Sequence, residues 1–220
     1  MNHLDAFNAA NGTAPTGWDI VDAIQDDTRG LTVYRSADCY NLMFGFTCTK
    51  GAVWPPSKDW LENLQAWPKA FSVGTRKYLA MKGFLDEYLT MRVGILRLVA
   101  LYRPREIRVV GFSQGAAHAT LAVRDILYSF PLTPIHATVF ASPRVYDERA
   151  AIEFMLTLSG TGSTFERINI WGDPVPSLPP WWIGYCHVMR AQHIGKFRLL
   201  PDPMLHSGIT YLKILQEAGQ

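Results

Sequence analysis

An α/β fold with a mainly parallel central sheet and helices on both faces is the class this sequence predicts, and three observations predict it. Short β-branched and apolar runs alternate with helical stripes along the chain, the order from which parallel sheets are built. One such run, Ile107-Arg108-Val109-Val110, passes through Gly111-Phe112-Ser113-Gln114-Gly115 directly into the alanine-rich stretch Ala116–Ala122, which reads as a strand turning sharply into a helix. The 220 residues are 48% apolar and 18% charged, enough to bury one large core in a single domain spanning the chain.

Taken in order, Leu31–Arg35 and Asn41–Phe46 have the content of strands. Lys58–Trp67 reads as a short amphipathic helix, opened by Ser57 after Pro55-Pro56 and ended by Pro68. From Met81 the apolar residues Phe84, Tyr88, Met91, Ile95, Leu98 and Tyr102 recur at steps of three and four, the stripe of a long helix that Pro104 stops. After the alanine-rich helix, Pro131 and Pro134 precede a buried-strand pattern over Ile135–Ala141, then a helix over Ala150–Leu158 and a strand over Thr164–Trp171. Tyr185–Arg190 and Lys196–Leu200 are expected as a final strand pair with His193 in their connection, before a helix over Ile209–Glu217.

A net charge of +2 gives no reason to expect a nucleic-acid partner. The most apolar stretch, Val93–Tyr102, is interrupted by Arg97 and falls short of the roughly 18 apolar residues of a membrane span. Met1–Gly12 shows no continuous apolar block, so no signal peptide is read there. Cys39, Cys48 and Cys186 cannot all pair with one another. Together these predict a soluble protein with free thiols, cytoplasmic or released by lysis. The six histidines form no metal-binding pattern, and neither metal nor cofactor is expected.

The G-x-S-x-G turn lifts a serine hydroxyl out of the backbone, and its glycines let strand and helix approach closely. Ser113 is therefore the candidate nucleophile, and it needs a base and an orienting acid. Asp173 follows the strand Arg167–Trp171, held between Gly172 and Pro174 at a strand's carboxyl end. Three histidines come later. His206, in a loop after Pro201-Asp202-Pro203, is favoured as base over His187, inside a strand-like run, and His193, beside Gly195. His118, five residues beyond the serine on the elbow helix, is read as structural. Pro174–Trp182 is either a rigid surface loop or one that fixes the acid and offers Trp181 and Trp182 to an apolar substrate.

Several separated segments resemble the class 3 lipase family, the fungal triacylglycerol lipase type of α/β-hydrolase, over about residues 43–212. Gly45-Phe46-Thr47, followed by Asp59-Trp60-Leu61-Glu62-Asn63-Leu64, is similar to the family's R-G-T/S loop and its downstream D/N-W-x-x-D-L. Lys82-Gly83-Phe84-Leu85 resembles H-x-G-F-L, and Gly111–Gly115 resembles G-H-S-L-G. Ala141-Ser142-Pro143-Arg144-Val145 resembles G-S-P-R-V, and Asp173–Pro180 follows D-x-V-P-x-L-P-P. Phe112 and Gln114 replace histidine and leucine around the serine, a wording nearer to cutinases and small carboxylesterases.

The resemblance implies an α/β-hydrolase fold and a triad of Ser113, Asp173 and His206 acting on an ester or lipid substrate, with transient contact at a lipid interface. It implies an oxyanion hole from the backbone N–H groups of Thr47 and Gln114. Trp54, in Val53-Trp54-Pro55-Pro56 where a lid could sit, joins Trp181 and Trp182 as a substrate-binding candidate. The same three residues would serve a cutinase-like esterase or an acyltransferase, and a non-catalytic binding module of this fold would usually lack one of them.

Overall fold

Residues 1–25, 30–47, 67–74 and 76–219 are described by the computed structural model. The chain opens with helix α1 (His3–Ala10) and strands β1 (Trp18–Gln25), β2 (Gly30–Ser36) and β3 (Asn41–Thr47). A hairpin follows, β4 (Pro68–Val73) and β5 (Arg76–Met81), then the long helix α2 (Lys82–Tyr102), β6 (Glu106–Phe112) and the elbow helix α3 (Gln114–Ser129). Next come β7 (Ile135–Phe140), the short β8 (Tyr146–Asp147), α4 (Glu148–Gly160), β9 (Thr164–Ile170), the short β10 (Tyr185–Cys186), β11 (Ala191–Ile194) and α5 (Gly208–Glu217).

The main sheet has seven strands in the order β1-β2-β3-β6-β7-β9-β11, and β10-β8-β5-β4 form a second, antiparallel sheet. β1 to β3 are antiparallel, and from β3 onward every neighbour is parallel. The expected mainly parallel sheet is thus present with an antiparallel flank. Period-two alternation sends Leu42, Phe44 and Phe46 of β3, with Ile107 and Val109 of β6, into a core shared with α2, α3, α4 and the second sheet. Met43, Val110 and Phe112 face the opposite core, closed by Phe7 of α1 with Tyr211 and Leu215 of α5. Helices therefore cover both faces, and the serine turn lies between the two cores.

The elbow helix is fixed by a buried acid. Asp125 accepts from the Tyr88 hydroxyl at 2.8 Å and from Arg92 Nε and Nη2 at 2.5 and 2.9 Å, tying α3 to α2. Asp125 has no exposed surface, so these bonds offset the cost of burying its charge.

Several expectations need correction. Lys196–Leu200 is not a strand: Phe197, Leu199 and Leu200 are 66%, 84% and 77% exposed, so its apolar content reflects a surface loop. Only Tyr185 and Cys186 of the run to Arg190 are extended, and they join the second sheet. His193 lies on β11, paired parallel to β9, and not in a hairpin connection. The expected helix over Lys58–Trp67 lies outside the described residues except for Trp67, which is not helical and leads into β4. Helix α1, strand β1 and the β4–β5 hairpin are additions to what the sequence suggested.

Candidate active site

Every strand of the parallel set directs its carboxyl end to the same side of the sheet, where loops collect functional groups. Ser113 sits there, immediately after β6, with φ 57° and ψ −122°, a conformation that costs a non-glycine residue of order 1–3 kcal/mol and is held by its surroundings. Its N–H donates to Phe140 O of β7 at 2.9 Å, and its carbonyl accepts from Ala116 N at 3.0 Å. Two glycines are obligatory for this turn. A Cβ at Gly111 would lie 2.5 Å from Gly115 O, and one at Gly115 would lie 2.1 Å from Phe46 O.

Asp173 follows β9 on a turn that Gly172 enters at φ +87°. The carbonyl of Gly172 accepts from Asp202 N at 2.9 Å, which joins the acid turn to the loop ahead of His206. That loop ends in a turn of 3-10 helix over Pro203–Leu205, and His206 is its C-cap. The imidazole stacks on Phe112, with ring centroids 5.4 Å apart and planes at 16°, so the residue before the serine orients the ring that faces it.

The structure brings Ser113, His206 and Asp173 into one hydrogen-bonded row. Ser113 Oγ and His206 Nε2 are 2.7 Å apart, and His206 Nδ1 stands 3.1 and 3.0 Å from the two oxygens of Asp173. A carboxylate only accepts, so Nδ1 carries the proton and Nε2 is left to accept from the serine hydroxyl. Asp173 also accepts from Val175 N at 2.9 Å and from the Tyr211 hydroxyl at 2.8 Å. Tyr211 in turn accepts from Ile170 N at 3.0 Å, which roots it in β9. Burial first, then the neighbouring Asp173 charge, hold the Tyr211 phenol well above its ordinary range, so it remains a donor. The Asp173 side chain is fully buried and that of His206 is 11% exposed.

The other histidines are engaged elsewhere. His187 Nε2 donates to Pro176 O at 2.8 Å, and burial, reinforced by Arg167, pushes its pKa down to about 3. His193 stacks on Trp171 at 4.0 Å. His118 is buried on α3, with Nε2 3.0 Å from Glu87 Oε2.

Of the expected oxyanion donors, Gln114 opens α3 at its positive end, and its side-chain amide donates to Glu87 Oε2 at 2.5 Å. Thr47 ends β3, beside the point where Gly115 presses on Phe46 O. Trp181 and Trp182 stand edge to face on an exposed turn after the acid loop, 68% and 69% exposed, outside the hydrogen-bonded row. Trp54 lies outside the described residues. Among the described residues no group of three His, Cys, Asp or Glu side chains could hold a metal ion.

Tyr211, Glu87 and the stacking role of Phe112 went unread in the sequence. Tyr211 follows His206 by five residues on an ordinary amphipathic helix, and no motif marks such a buttress.

The chain resembles several known proteins. The secreted mono- and diacylglycerol lipases A of Penicillium cyclopium and Penicillium camembertii are each 38% identical over 115 residues. Those alignments cover 50% of this chain and 35% of the relatives, so the match spans about a third of their length. Among solved structures, a mutant form of MDLA from Penicillium cyclopium superposes with a TM-score of 0.67 at 23% identity, covering 88% of this chain and 78% of that one. The Rhizomucor miehei lipase propeptide complex gives 0.69 at 19% identity, covering 88% and 68%. Both share the α/β-hydrolase fold with this chain.

The secreted relatives overturn the cytoplasmic or lysis-released location expected from the sequence and point outside the cell. The segment after Met1 on which that expectation rested is helix α1, whose Ala6, Phe7, Ala9 and Ala10 are buried against the sheet. The family model for lipase (class 3) matches residues 48–182, more than half of the sequence, and the chain belongs to that family.

Proposed function

We propose that this protein hydrolyses carboxylic esters of lipids through Ser113, His206 and Asp173. The observation that carries the reading is the 2.7 Å approach of Ser113 Oγ to an imidazole whose other nitrogen is held by a buried carboxylate. Ser113 Oγ attacks the ester carbonyl carbon while His206 Nε2 takes the hydroxyl proton. The tetrahedral oxyanion is received by the N–H groups of Gln114 and Thr47. Collapse expels the alcohol, protonated by the imidazolium, and leaves an acyl-serine. Water, deprotonated by the same nitrogen, then attacks the acyl carbon, and the acid departs as Ser113 regains its proton. Asp173 fixes the tautomer and stabilises the imidazolium between the two half-reactions.

Mono- and diacylglycerols are the substrates we propose, since the relatives at 38% identity carry those lipids in their names. The surface near the acid and histidine loops suits them: Trp181, Trp182, Leu199, Leu200 and Met204 are each about 70–85% exposed and offer apolar contact to a lipid surface. Turnover of p-nitrophenyl butyrate by wild type and Ser113→Ala tests the assignment. A loss of at least about 10³-fold is expected. Undiminished turnover by the variant would exclude it.

A further inference from the structure

Behind the acid loop, on the sheet face away from α5, lies a second site. Strand β9 sends Ile168 and Ile170 to the core closed by α1 and α5, so by alternation Arg167 and Asn169 point to the other face with Phe165. There, over one face of β9 and the edge strand β11, a cavity of about 550 Å³ is bounded by Arg167, Asn169, Arg190, His193, His187 and the loop carrying Asp173. Arg167 is 4% exposed and Asn169 is 4% exposed. Arg167 Nη1 donates to Met189 O at 2.6 Å, while among the described residues its Nε finds no acceptor and Asn169 Oδ1 finds no donor.

Among the described residues no carboxylate pairs with Arg167 or Arg190. Arg198, also on the rim, is balanced by Asp202 at 3.0 Å. The oxygens of Asp173 are held by His206, Tyr211 and Val175 N. A largely buried guanidinium whose Nε lacks an acceptor is an expensive arrangement that an anion would relieve. Burial, then repulsion from Arg144, accordingly draw Arg167 down to about 10, and burial with the charges of Arg167 and Arg190 lowers His193. The neighbouring histidines therefore add hydrogen-bonding capacity without a carboxylate's repulsion.

We propose that this cavity binds a phosphate group, with the side chains of Arg167 and Arg190 clamping its oxygens and that of Asn169 hydrogen-bonding to it. Hydrogen phosphate carries both an acceptor face for the guanidinium groups and an O–H for an amide oxygen, and a monoester carries the same donor when singly protonated, below its second pKa of about 6; a carboxylate carries only the first. The volume leaves room beyond the phosphate for the organic part of a monoester. A bound phosphate would link β9, β11 and the acid loop, which border the cavity together.

Calorimetric titration of the full chain carrying Ser113→Ala, at fixed ionic strength, separates this site from ester hydrolysis, since the variant removes the nucleophile and leaves the cavity intact. Inorganic phosphate and glycerol 3-phosphate are expected to bind once per chain, and butyrate at least tenfold more weakly. Tighter binding of the monoester would identify an organic phosphate as the occupant, and equal binding the free ion. Because Arg167 is buried and its replacement could impair folding, the exposed Arg190→Gln is the informative substitution, with at least a tenfold loss expected. The Nε–H resonance of Arg167 should shift on saturation, as a new hydrogen bond requires. Absence of saturable binding, or undiminished binding by Arg190→Gln with the Arg167 resonance unmoved, would overturn the proposal.

Discussion

Tyr211 is bonded on both sides of its hydroxyl, giving to Asp173 Oδ2 at 2.8 Å and receiving from Ile170 N at 3.0 Å. Tyr211→Phe removes both bonds with little change of shape. A hydrogen bond to a charged group is worth about 1.5–3 kcal/mol, so kcat on a soluble ester should fall about 10- to 100-fold with KM nearly unchanged. The same variant strands a buried N–H and should also lower the urea midpoint. A fall in stability with kcat unaltered would reduce Tyr211 to a packing residue. Asp173→Asn is the harsher change, expected to lower kcat by about 10⁴-fold because the imidazole then adopts the wrong tautomer. At this scale the sequence was informative where geometry is local: Gly111 and Gly115 announce the turn, and Gly172 before Asp173 announces the next. It was silent on Tyr211, Phe112 and Glu87, whose partners come from other elements. It pointed to His206 over His187 and His193 through loop setting, and the structure occupies those two with Pro176 O and Trp171.

Helix α1 is the element whose placement the site depends on most. A Cβ at Gly45 would lie 2.4 Å from Ala9 O and 3.1 Å from the Tyr34 ring, so β3 needs a glycine where the helix crosses it. Gly45→Ala should lift α1 from the sheet and destabilise the fold by about 1–3 kcal/mol, read as a lower urea midpoint. Activity should fall as well, since Phe7 packs 5.4 Å from Phe112 and 6.0 Å from Tyr211. Full stability in the variant would mean that α1 is not seated there. Strands β2, β3, β6, β7 and β9 were legible because buried strands carry near-continuous apolar or β-branched runs. β1 was not: it is an edge strand with Ile20, Val21 and Ile24 exposed, and no burial disciplines its pattern. Pro68 was read only as the end of a helix, although a proline is equally at home opening β4 at the edge of the second sheet.

For the whole molecule, His187 couples stability to pH. Its native pKa is lowered from 6.5 to about 3, so the unfolded chain takes up this proton first as pH falls. The stabilisation from neutral His187 is complete above about pH 6.5 and is lost progressively toward pH 3. Urea midpoints of wild type should therefore drop more steeply across that window than those of His187→Gln; parallel curves would remove His187 as the cause. The exposed apolar surface makes a separate forecast. Replacing Trp181 and Trp182 by serine should leave hydrolysis of a dissolved short ester within about twofold and cut the rate on dispersed monoacylglycerol at least about fivefold. Equal losses on both substrates would place the indoles in the catalytic pocket instead of at a lipid surface.

The reactivity of Ser113 tests the central claim most directly. Treatment with a fluorophosphonate, followed by peptide mass spectrometry, should find one adduct, on Ser113, absent from Ser113→Ala and slowed by at least about 10³-fold in His206→Ala. A native chain that stays unlabelled, or an adduct on any other residue, would contradict the account.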